Sequence, residues 1–130
     1  FGVNGVNIGL FCSTPMVAVS RNISRKKIME MLLTGEKLSA QEAVQFGLIN
    51  KCVPLERLHV ETLNLAKLIA SKPTSTVKIG KEAFYKQVEM SLDDAYNYTS
   101  EVMAINMMEI DAHEGISAFL DKRTPFWNEK

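Results

Sequence analysis

Two cysteines and two histidines are all the thiol and imidazole chemistry in this 130-residue chain. Cys12 and Cys52 stand far apart with no Cys-x-x-Cys spacing, which argues against a redox dithiol or a structural zinc site. Both have apolar neighbours, so they are expected to be reduced core residues in an intracellular, reducing compartment. His59 and His113 have no serine, cysteine or metal-ligand partner at a useful spacing, and no metal site is expected. An excess of one charge is also missing. Fifteen Lys and Arg balance fifteen Asp and Glu, which removes the usual pull toward nucleic acid or an anionic membrane surface. No apolar run approaches the roughly 20 residues of a membrane-spanning helix. There is no internal repeat and no low-complexity tract. The first residue is Phe1 rather than Met, and no charged-then-apolar leader precedes the body of the chain, as expected for a piece of a longer protein.

What is present is an ordinary globular mixture, 46% hydrophobic and 23% charged. That length can bury roughly two-thirds of its unfolded surface. Phe1 to Phe11 is β-branched and glycine-punctuated and predicts an extended segment with tight turns. Without partner strands, it is expected to be disordered or to pair with another chain. Ser13-Thr14-Pro15 starts a short helix ending near Ser20. Ser24 starts a second, with Ile28, Met31 and Leu32 as its apolar stripe. Pro54 opens a long helix through Leu58, Leu65 and Ile69, stopping near Pro73. Thr74 to about Val88 is the next, presenting Val77 and Phe84. Ser91 caps a helix from Leu92 to about Ile110, with Asp93 and Asp94 in its first turn where the helix dipole favours them. His113 to Arg123 is the last helix, before a loose tail of Thr124 to Trp127.

The most informative stretch is Leu32 to Val53, LLTGEKLSAQEAVQFGLINKCV. Gly35 suits the left-handed residue that closes a helix. Ser39 and Glu42 have capping-box spacing. Gly47 stops the capped helix, and Leu48 to Val53 predicts a short buried strand ended by Pro54. The ungapped series Leu33-Thr34-Gly35, Leu38-Ser39-Ala40, Glu42-Ala43 and Gly47-Leu48-Ile49 resembles the signature of the crotonase superfamily, the enoyl-CoA hydratases and isomerases. The resemblance covers the whole chain but only the C-terminal half of such a protein. The runs GLFCSTP (Gly9 to Pro15) and Phe84-Tyr85-Lys86-Gln87 point to one member in particular.

The resemblance implies a mainly α fold, the C-terminal helical part of a crotonase-like α/β spiral, with one or two short strands. Residues 1–53 are then the tail end of the core, and residues 54–130 a C-terminal helical oligomerisation region. It implies action on acyl-CoA thioesters, with no permanently bound cofactor. Such chemistry needs two backbone N–H donors on the thioester oxygen and carboxylates that move protons at the adjacent carbons. Of the family's two glutamates, the downstream one lies four residues before a glycine. Here that glycine is Gly9 and the matching position is Gly5, so no carboxylate is offered. The other glutamate, the oxyanion loop and most of the CoA pocket lie upstream of this chain. The fragment is therefore expected to be inactive, with no catalytic residue of its own. Asn4 and Asn7 can orient water or substrate, or simply shape a turn.

Phe119 and Lys122, in EGISAFLDKR (Glu114 to Arg123), match a segment that in relatives touches the CoA adenine and phosphate region. An aromatic face suits the base and an ammonium the phosphate. Their plain alternatives are a core anchor and a solvated charge. Arg21, Arg25, Lys26 and Lys27 form a basic cluster that attracts CoA phosphates or serves as a solvated face. Val102, Met103, Ile105, Met107 and Met108 give one helix an apolar surface wider than one stripe, as expected of core plus subunit interface. The resemblance implies a homotrimer or a dimer of trimers, in the mitochondrial matrix of a eukaryote or the cytoplasm of a bacterium. Two rival readings stay open: a non-catalytic acyl-CoA-binding or regulatory homologue, which Gly5 favours, and a helical trimerisation module.

Overall fold

In the computed structural model, residues 1–128 are described. They form two compact units, Phe1–Leu58 and a second that begins at His59. The first holds α1 (Ser13–Val19), α2 (Arg25–Thr34) and α3 (Ala40–Gln45). Its helix ends follow from side-chain chemistry. The Ser24 hydroxyl accepts the Lys27 N–H at the start of α2. Gly35 closes α2 in the left-handed region at φ 68° and sends its N–H to the Met31 carbonyl, 2.9 Å. The capping box forms: Ser39 Oγ accepts the Glu42 N–H at 3.2 Å, and Glu42 Oε2 accepts the Ser39 N–H at 2.9 Å. Gly47, at φ 78°, turns the chain out of α3. Ile28, Met31 and Leu32 on α2 pack with Val3, Ile23 and Leu38 into a small core, and Leu32 is only 1% exposed.

The mainly α expectation holds, but neither expected strand forms among the described residues. Asn4–Ile8 winds into a 3-10 helix. With no neighbouring strand to take its backbone groups, the segment satisfies them locally. The Leu10 N–H reaches the Gly5 carbonyl (3.0 Å) and the Gly9 N–H the Val6 carbonyl (3.2 Å). Nor is it disordered. The terminal amine of Phe1 donates to the Leu38 carbonyl at 2.9 Å, the Leu38 N–H returns a bond to the Phe1 carbonyl at 2.8 Å, and Val3 is buried. Ile8 and Leu10 do stand exposed, as expected of residues without strand neighbours. After Gly47, the Leu48 and Ile49 N–H groups both fold back onto the Ala43 carbonyl, which uses them before a ladder can start. Cys12 is half-buried, whereas Cys52 is exposed rather than a core residue.

The second unit contains α4 (Leu58–Ala70, entered through a 3-10 turn at Leu55–Arg57), α5 (Thr74–Gln87), α6 (Leu92–Met107) and α7 (Ile110–Leu120). α5, α6 and α7 pack on one another. Ser91 caps α6 by accepting the Asp94 N–H. α7 begins three residues before His113, because Glu109 leaves the helical region and serves as its cap. Ala83 and Ala118 are the buried apolar residues of this unit. The apolar surface of α6 is not core: Met103, Ile105, Met107 and Met108 are all exposed, as are Leu58, Leu65 and Ile69 on α4. No described helix is long and apolar enough to cross a membrane.

The first unit depends on few side chains, so each matters. Leu32→Ala should destabilise it by about 3 kcal/mol, a transfer loss plus a cavity, read by urea unfolding followed by circular dichroism. Ser39→Ala should lose about 1 kcal/mol through the cap. A Leu32→Ala loss near zero would mean that Leu32 is not the anchor of this core.

Candidate functional site

Two places bear on chemistry, one in each unit. The first is Gly5. Its N–H donates to Cys12 Sγ at 3.2 Å and its carbonyl is held by Leu10. A Cβ on Gly5 would stand 2.7 Å from the Leu10 carbonyl oxygen and 2.8 Å from Cys12 Sγ. The position lacks a carboxylate and also lacks room for any side chain. Asn4 opens the 3-10 turn, and the Asn7 amide lies over Gly35, where a Cβ would meet it at 2.6 Å. Asn7 therefore acts in packing and helps explain why the residue after α2 is glycine.

The second place is the end of α7. Lys122 is the one described non-glycine residue with positive φ, 54°. It closes α7 as a Schellman turn: the Arg123 N–H bonds the Ala118 carbonyl (3.0 Å) and the Lys122 N–H the Phe119 carbonyl (3.3 Å). This reversal sends the chain back along α7. Arg123 then forks onto Glu114, Nη1 to Oε1 at 2.6 Å and Nη2 to Oε2 at 2.9 Å. Glu114 Oε1 also accepts the Phe126 N–H at 2.8 Å. Asp111, 7% exposed, accepts the Asn128 N–H at 2.9 Å. The tail expected to be loose is thus strapped down, and Trp127 lies on Gly115, its ring 3.4 Å from where a Cβ would stand.

The strap walls a groove of about 480 Å³, whose lining includes Asn106, Met107, Ile116, Phe119, Leu120 and Trp127. Phe119 is not a core anchor but 82% exposed. Lys122 lies three residues beyond it, also exposed. His59 and His113 are exposed on α4 and α7. In the basic cluster, Lys27 lies over the Phe46 ring at 4.9 Å and pairs with Glu30 at 3.2 Å. No group of three or more His, Cys, Asp or Glu side chains suited to a metal occurs among the described residues. Sequence reasoning missed Asp111, Glu114, Arg123 and Trp127 as a set. Their partners are nine to seventeen residues apart, a spacing no helical or strand period announces.

A profile of the enoyl-CoA hydratase/isomerase family matches residues 1–130. The chain belongs to this family. Among relatives, enoyl-CoA hydratase domain-containing protein 3, mitochondrial, of Mus musculus is 51% identical over 128 residues, covering 98% of this chain and 43% of that protein. The Homo sapiens protein of the same name is 49% identical over 130 residues. It is also the member to which GLFCSTP and Phe84-Tyr85-Lys86-Gln87 point. Its crystal structure superposes with a TM-score of 0.93 at 50% identity, over 98% of this chain and 50% of that one. An enoyl-CoA hydratase from Mycobacterium smegmatis superposes at 0.95 with 48% identity, over 98% and 49%. The chain spans about half the length of these relatives.

The Arg123 fork, aided by the Phe126 N–H, holds the Glu114 carboxyl down at about 2 from an ordinary 4.5. A depressed carboxyl contributes stability above its unfolded value and loses it as pH falls through its folded one. The strap should therefore stay latched above pH 4.5 and release between there and about pH 2. Trp127 is the chain's only tryptophan, so its fluorescence reports the release directly. Glu114→Gln should shift the emission toward that of an exposed indole at neutral pH.

Proposed function

We propose that this chain is the C-terminal part of a protein acting on, or binding, acyl-CoA thioesters. In this reading Phe119 offers its exposed face to the nucleotide base and Lys122 its ammonium to phosphate, while residues preceding this chain supply the thioester-oxygen donors and the proton-moving carboxylates. Hydration or double-bond isomerisation is the reaction class, and the 130-residue chain alone is inactive. The family match along the whole chain supports the acyl-CoA assignment. The observation that carries the local reading is Lys122. A left-handed backbone favours glycine by roughly 1 kcal/mol, yet a lysine stands there, beside an exposed Phe119 at a groove. The names of the relatives, which read mitochondrial, favour a mitochondrial location.

Crowded Gly5 favours the second reading, an acyl-CoA binder without hydratase activity. The exposed apolar residues of α4 and α6 favour a further role in association, with a homotrimer expected. Light scattering tests that directly: a discrete trimer supports it and a monomer removes it.

Calorimetry with CoA tests the binding reading. Phe119→Ala should weaken binding about tenfold. Lys122→Gly should weaken it while leaving thermal stability equal or higher, because the left-handed strain is relieved. Equal affinity in both variants would overturn the assignment. Gly5→Ala should cost about 1–3 kcal/mol of stability by overpacking against Leu10 and Cys12. A short enoyl-CoA should not be turned over by the 130-residue chain, and measurable hydration would overturn the inactive reading.

A further inference from the structure

The first turn of the chain contains one peptide link that is chemically labile. Asn4 is followed by Gly5, whereas every other asparagine is followed by a residue that carries a side chain. The Asn4 side chain is exposed and has no hydrogen-bond partner among the described residues. The amide carbon of an asparagine is within reach of the next residue's backbone nitrogen, because the attack closes a five-membered ring. A Cβ on that next residue obstructs the approach, and Gly5 has none. The attacking nitrogen is nevertheless held. Its N–H donates to Cys12 Sγ at 3.2 Å, and the sulfur stands 2.8 Å from where a Cβ on Gly5 would be. For the nitrogen to reach the Asn4 amide carbon, the peptide has to rotate and that bond has to break. Sulfur is a weak acceptor, so the restraint opens readily.

We propose that Asn4–Gly5 is a self-modification site and that Cys12 is the latch that sets its rate. In the reaction the Gly5 nitrogen bonds to the Asn4 amide carbon and gives up its proton. The bond from that carbon to Nδ2 breaks, and ammonia leaves. The product is a cyclic imide. Water opens it at either carbonyl, giving aspartate or the isomer whose backbone runs through the side chain. One water is consumed and one ammonia released, with nothing oxidised or reduced. A neutral amide becomes a carboxylate, so a chain that balances its bases and acids gains a negative charge. That carboxylate arises one residue before Gly5, where the family resemblance would place a glutamate. The segment is pinned on both sides of the labile link, by buried Val3 and by Asn7 over Gly35. The reacting nitrogen itself is tied by the Cys12 sulfur. Opening that tie is a local event, far less costly than unfolding the unit.

The test follows conversion at position 4 by peptide mass spectrometry, with the 130-residue chain held at mildly alkaline pH, either folded or unfolded in guanidinium chloride. The unfolded chain should convert fastest, and at Asn4 before any other asparagine. The folded chain should convert slowly. Cys12→Ala should raise the folded rate about fivefold, the change in open population that one hydrogen bond of ordinary net worth gives. Cys12→Ser keeps an acceptor over the Gly5 nitrogen and should stay near the parent rate. Asn4→Gln should remove the acidic variant seen by isoelectric focusing, because the larger ring closes far more slowly. Asn50, exposed and in the same unit, is the internal control. Loss of the latch speeds Asn4 alone, whereas equal acceleration at Asn50 means general loosening and overturns the role of Cys12. Equal folded rates for the parent and Cys12→Ala overturn it too. A folded parent that converts as fast as the unfolded chain shows that no latch exists. No conversion at Asn4 in the unfolded chain overturns the site itself.

Discussion

One carboxylate holds the end of α7 and the strap that follows it together. Glu114 accepts from both nitrogens of the Arg123 fork and from the Phe126 N–H, and Asp111 adds a bond from the Asn128 N–H. Exposed ion pairs are commonly worth little, and this one is partly exposed. Its importance comes instead from connectivity. The two ends of the fork are nine residues apart, and the Lys122 turn has already brought them together, so little side-chain freedom is lost when the pair closes. The bidentate geometry also fixes direction, which a lysine at position 123 would not. Trp127, and with it one wall of the groove, follows from that geometry.

What was legible in the sequence is what is decided within a few residues. Ser24, Gly35, Ser39 with Glu42, Gly47 and Ser91 each act on a backbone group at most four positions away, and each does what its chemistry implies. The strap was not legible. It depends on a lysine taking a left-handed conformation, which nothing in the local pattern requires, and on contacts spanning nine to seventeen residues. The strands failed for a related reason. Their β-branched pattern is real, but a strand is a relation between two segments, and here the nearest acceptors were the chain's own turns. Phe119 and Lys122 were found through family resemblance. The groove that Phe119 lines, walled by Trp127, was not contained in it.

The same logic explains why so much apolar side chain is left outside. α2 buries three of its residues in the first unit's core, whereas α4 and α6 bury none. An amphipathic helix gains most of its stability from a covered face. The apolar faces of α4 and α6 are uncovered among the described residues. The chain spans about half the length of its relatives.

Gly5 sharpens the point where function is concerned. If the position had merely lost a carboxylate, the cavity left behind would show the outline of the missing side chain. Instead the Leu10 carbonyl and the Cys12 sulfur close over it at less than 3 Å from any Cβ. A glycine that is packed in, with its own N–H engaged by the sulfur, is a structural element of the turn. Restoring an acid there requires moving the backbone of residues 5–12 as well as changing one side chain.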